Sequence, residues 1–133
     1  MRRLVLLALV FPLVAGCASS GPTIPPLVPA AGHVVPGWVM QENLPPRAIP
    51  GATLFAGIGC TACHTYAGSG AINLGAPDLT AIGLRRLGIA FEIRHLRCPS
   101  CINPGSPMPK FGSLGPKLLR ELAIFLEASK GIR

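Results

Sequence analysis

Apolar and polar residues follow different rules in different parts of this chain, and the changes of rule mark its organisation. Arg2 and Arg3 precede an apolar run of eleven residues, Leu4 to Val14, interrupted by Pro12. That run is shorter than the roughly 20 residues of a bilayer span and has the form of a signal peptide. From Ala18 to Pro50 no period survives. These 33 residues hold eight prolines and only two charged groups, Glu42 and Arg47. Proline at such density favours extended chain and predicts a semi-rigid tether over residues 17–50. Within it, Val34, Val35, Trp38, Val39 and Met40 are too apolar for a solvated linker, which makes 34–40 a candidate to pack against the downstream domain. His33, just before that patch, reads as a linker histidine.

Helical spacing appears beyond residue 50, so a folded domain is expected over 51–133. Gly51 to Gly59 reads as a short helix whose glycines lower its own propensity, so packing must hold it. Leu118, Leu119, Leu122, Phe125 and Leu126 recur at helical intervals after Gly115-Pro116, a good start signal. Lys117 and Glu121 sit four apart on that helix, and Lys130-Gly131 supplies its stop. Between these two, a helix is expected from about Thr80 or Leu84 to Leu96. Leu84, Leu87, Phe91 and Ile93–Leu96 would be its buried face, with Arg85, Arg86, Arg94 and Arg97 in water and Pro99 ending it. Asn73 to Pro77 reads as loop. The run from Asn103 to Phe111 carries three prolines and is neither helix nor sheet interior. It predicts a rigid loop presenting Met108.

Composition changes the picture in two respects. The net charge of +7 comes without any dense basic run or interleaved aromatics. That argues against nucleic acid and for acidic protein partners or an anionic membrane. Five cysteines suit an exported chain better than a cytosolic one. The first, in Leu13-Val14-Ala15-Gly16-Cys17, looks like a bacterial lipobox, in which Cys17 becomes the lipidated first residue after a signal peptide over 1–16. The bland alternative is ordinary cleavage at a small residue, with Cys17 incidental. Acyl chains on Cys17 would hold the protein to a membrane without a spanning helix, facing the periplasm of a bacterial envelope.

The remaining cysteines form two C-x-x-C pairs, and the first is followed at once by histidine: Cys60-Thr61-Ala62-Cys63-His64. This is the attachment signature of c-type haem, in which each thiol adds to one vinyl group and the histidine lies within reach of iron. A thioredoxin-type redox pair, half of a zinc site and a plain disulfide also use C-x-x-C, but none of them requires the histidine.

In order, Gly51, Phe55, the Cys60–His64 motif, Ala76-Pro77-Asp78-Leu79, Ser106-Pro107-Met108-Pro109-Lys110-Phe111 and the apolar C-terminal helix resemble class I cytochrome c. The resemblance spans 51–133. It implies an all-α cytochrome c fold, three to four helices wrapped around one covalent haem c, with the first and last helices crossing near Gly51, Phe55 and Ile124-Phe125. It also implies iron held between His64 and the thioether of Met108, and a Pro77 carbonyl that accepts from the second nitrogen of His64. Two protein ligands suit electron transfer rather than catalysis, so an enzyme is not expected, although the chain could belong to a larger oxidoreductase. The bland reading of Met108 is a core filler. His95 is the rival ligand, and its bland reading is a partly exposed structural histidine.

Cys98-Pro99-Ser100-Cys101 departs from the family pattern, because no histidine follows it. A short-range disulfide is the plain reading, and a redox-active pair coupled to the haem the sharper one. Cys60, Cys63, Cys98 and Cys101 together could instead ligate zinc in a structural or interaction module. The 34 residues between the pairs exceed the usual spacing of such sites. A third reading, peroxide or gas chemistry at an open iron, finds no distal acid or base in the sequence. The reading that joins these features is a lipid-anchored carrier of single electrons between periplasmic or membrane redox partners. Over 51–133, nine basic side chains face four acidic ones, a balance of +5 that favours partners with acidic docking surfaces.

Overall fold

Proline opens four of the helical segments. Pro46, Pro50, Pro99 and Pro116 each occupy the first or second position of one, where a missing N–H costs nothing. The computed structural model describes residues 37–71 and 73–131. The signal-peptide-like start, Cys17, His33 and the proline-rich stretch to residue 36 lie outside the described residues.

The chain is mostly helical. Helix α1 (Trp38–Gln41) is a single turn, and a 3₁₀ turn at Pro46–Ala48 leads into α2 (Ile49–Gly57). A two-stranded antiparallel hairpin comes next, β1 (Thr65–Tyr66) with β2 (Ser69–Gly70), in the register Thr65 opposite Gly70. Then come α3 (Ile89–Arg97), the short α4 (Pro99–Ile102) and the long α5 (Gly115–Ala128). No helix among the described residues is long and apolar enough to cross a membrane.

The core lies where α2 and α5 cross. Gly51 is required there: a Cβ would collide with the Glu121 carbonyl and with the Phe125 Cβ. Phe55, Tyr66, Phe125 and Trp38 cluster at ring-centroid distances of 4.5–6.5 Å. Tyr66 is completely buried with its hydroxyl 2.8 Å from Ser129 Oγ. Ser129 has one hydroxyl proton and donates it to the Phe125 carbonyl at 2.9 Å, so Tyr66 must be the donor to Ser129. A polar link thus closes the aromatic cluster against the end of α5.

The apolar patch at 34–40 is expected to pack against a domain that begins at Gly51, and Trp38 and Val39 do pack there. Trp38, Val39, Leu44 and Ala48 are buried in the same core, so packing begins ahead of that boundary. Prolines 45, 46 and 50 suggest extended chain, but two of them sit at helix starts, where proline is at home. The single helix expected from Thr80 or Leu84 to Leu96 is two pieces. A 3₁₀ turn at Ile82–Arg85 ends at Arg86 in the left-handed region, and α3 begins only after Gly88, also at positive φ. The Gly88 N–H donates to Glu127 Oε1 at 2.6 Å, which pins the break to α5. Leu84, expected on the buried face, is 62% exposed, whereas Leu96 is buried. Pro99 does not end α3 so much as begin α4, and its ring is fully buried.

Candidate functional site

Local geometry at the Cys60–His64 motif starts from a glycine. Gly59 has φ +87°, a conformation that L side chains avoid, and it ends α2 so sharply that a new turn begins at Cys60. The Cys60 carbonyl accepts from the N–H groups of Cys63 (3.2 Å) and His64 (2.9 Å), which winds the motif into one tight turn. Both thiols are free, Cys60 buried and Cys63 half-buried. Burial pushes the Cys60 thiol up to about 12, so it is neutral in the folded chain at ordinary pH. A thioredoxin-type pair works through an accessible, low-pKa thiolate, and Cys60 is the opposite.

Downstream chain wraps back over this turn and satisfies its carbonyls. Ala71 N–H donates to Thr61 O (3.0 Å), Asn73 N–H to Cys63 O (3.1 Å) and Leu79 N–H to Thr65 O (3.0 Å). The wrap depends on Gly70, at φ +96°, where a Cβ would run into the carbonyls of His64 and Thr61. Thr80 Oγ1 accepts from Ala67 N–H at 2.8 Å, and its own N–H donates to Asp78 Oδ1 at 2.7 Å. Those two bonds dock the Pro77 segment against the hairpin. The Thr80 hydrogen bonds hold the Asp78 carboxyl below its usual range.

Pro77 is thereby placed beside the motif, and its carbonyl lies 2.8 Å from His64 Nδ1. A carbonyl only accepts, so Nδ1 carries a proton, and in the neutral ring the lone pair then lies on Nε2. His64 is therefore an oriented imidazole whose Nε2 is the nitrogen available to a metal. The structure brings Cys60, Cys63, His64 and Pro77 together in this way. Met108 comes from the loop after α4, half-buried and packed against the main core. His95, on α3, stacks edge-on to Phe91 with ring centroids 5.9 Å apart. Burial lowers its pKa, and repulsion from His64 adds to that, so it is held towards its neutral form.

Cys98 and Cys101 are joined by a disulfide, with Cα atoms 5.3 Å apart. A four-cysteine zinc site therefore lacks two of its thiolates. Among the described residues no group of three or more His, Cys, Asp or Glu side chains is placed to hold a metal ion. The hairpin, Gly70 and the Thr80 bonds were not anticipated from the sequence. Their signal is Ala67-Gly68-Ser69-Gly70, a turn-forming run directly after the motif. No family model and no curated protein matches the chain.

Proposed function

We propose that this chain is a single-haem c-type cytochrome, tethered to a membrane, that passes single electrons between redox proteins. One observation carries the reading. Two unbonded cysteines share one turn with a histidine whose Nδ1 is committed to the Pro77 carbonyl, leaving Nε2 for iron. The donor set fits the group: thiols for its vinyl carbons, imidazole and thioether for its axial positions. Cys60 and Cys63 would hold it covalently, and His64 and Met108 would ligate iron. When bound, haem supplies the one-electron couple.

The rest is the work of the chain. Pro77 fixes the tautomer and plane of His64 and raises its strength as a donor. The Met108 thioether, a soft ligand, favours the reduced metal and so a higher potential. The crossing of α2 and α5, with Gly51 at the contact, is the scaffold that a cytochrome c fold would use. Arg85, Arg86, Arg94 and Arg97 are all exposed and would steer acidic partners into transient, salt-sensitive encounters. Cys17 would supply the lipid anchor.

Met108→Ala tests the ligand set. The variant should lose the weak sulfur-to-iron band near the red end of the oxidised spectrum and show a lower potential. An unchanged spectrum and potential would pass the role to another side chain, His95 first.

A further inference from the structure

The Cys98–Cys101 disulfide takes no part in the proposed site, and closing so short a loop removes little entropy from the unfolded chain. Its position is the informative feature. It stands at the start of the 97–110 loop, whose stem is the hydrogen bond from Phe111 N–H to the Leu96 carbonyl, 2.9 Å. Inside that stem the hydrogen bonds among the described residues are local. Asn103 N–H donates to Pro99 O (2.8 Å), Ser106 N–H to Asn103 O (3.0 Å) and Met108 N–H to Ser106 Oγ (3.3 Å). Pro104, Pro107 and Pro109 have no N–H to give. Pro99 is fully buried, Cys98 half-buried and Cys101 exposed. The bond therefore ties the outer end of α4 back to its buried root, at a place where a second thiol has access.

We infer that Cys98–Cys101 is an exchangeable latch, opened by a dithiol protein of the thiol–disulfide oxidoreductase class, and that opening it frees the loop carrying Met108. The reductant's thiolate attacks the exposed Cys101 sulfur. The S–S bond breaks, its electron pair leaves on Cys98 sulfur, and that sulfur takes up a proton. The reductant's second thiolate then attacks its own sulfur in the mixed disulfide, releasing Cys101, which is protonated in turn. Two electrons and two protons pass from the dithiol to the pair, and the reductant is left as a disulfide. The loop from Asn103 to Lys110 then keeps its own turns, the Asn103–Pro99 hydrogen bond, the Leu96–Phe111 stem and the packing of Met108 against the core, without the covalent tie at its root. Control of Met108 as an iron ligand rests on the haem reading, whereas the exchange and the loosening of the loop do not.

The full-length protein is incubated at neutral pH without denaturant, with and without dithiothreitol as the probe dithiol. Thiols are then mass-tagged, and amide exchange is followed over 101–111 and over α5. Both Cys98 and Cys101 should tag, and 101–111 should exchange about ten-fold faster while α5 stays protected. Cys98→Ser/Cys101→Ser should show the fast exchange without reductant. Because a reductant would also reduce iron, this variant supplies the spectroscopic arm: its sulfur-to-iron band should vanish at milder alkaline pH than the parent's. Tagging that appears only together with loss of α5 protection would overturn the exchange, and tagging with unchanged exchange over 101–111 would overturn the latch. Protein without haem would refute the proposed function, while the tagging and exchange results would still decide this one.

Discussion

Glu92 is a carboxyl group in an unfavourable place, only 5% exposed between α3 and α5. Burial, with the Glu127 carboxylate adding repulsion and Arg85 partly offsetting both, raises its pKa from 4.5 to about 7. The folded protein therefore holds a proton that the unfolded chain releases nearer pH 4.5. Stability from this group is complete below pH 4.5 and falls as pH rises to about 7, above which it is flat. Glu92→Gln, which stays neutral, should be more stable than the parent above pH 7 and should lose that slope between pH 4.5 and 7. Denaturant titrations at several pH values check it, and parallel curves for parent and variant would show that the group ionises at its ordinary pH. Glu92 could not be singled out from the sequence. An acid in the first turn of a helix looks solvated until Glu127 of α5 is known to lie across from it.

At the level of helices, the crossing of α2 with α5 depends on a residue without a side chain. Gly51→Ala places a methyl group against backbone atoms of Glu121, which cannot rotate away. Overpacking of this kind costs about 1–3 kcal/mol, and the loss should appear as a lower denaturation midpoint with an unchanged slope. A variant as stable as the parent would mean that the two helices do not approach so closely. Helical spacing made the two helices legible in advance, whereas their crossing near Gly51 and Phe55 was implied only by the resemblance to class I cytochrome c. The break before α3 was less legible. Leu84, Leu87 and Phe91 keep a helical rhythm across it, and the one contrary signal is Gly88, which takes a positive φ and donates its N–H to Glu127. The motif at Cys60–His64 was legible as chemistry, and its pairing with Pro77 only through the family resemblance. The hairpin that covers the motif was hidden, since strands of two residues leave no alternating pattern to read.

Over the whole molecule, the folded body reaches back to Trp38, so any tether to a membrane is shorter than proline content suggests. Cys17→Ser should release the protein from membranes or block its processing, read by partition between membrane and soluble fractions. Undiminished partition into membranes would put the anchor elsewhere. Ligation, potential and partners all presuppose a group bonded at the turn that holds Cys60, Cys63 and His64. The intact mass of the protein, isolated from a host able to attach haem and then denatured, is the most direct test. The polypeptide should carry the added mass of one haem, with Cys60 and Cys63 closed to alkylation. A denatured chain at its bare mass with both thiols alkylated would contradict it.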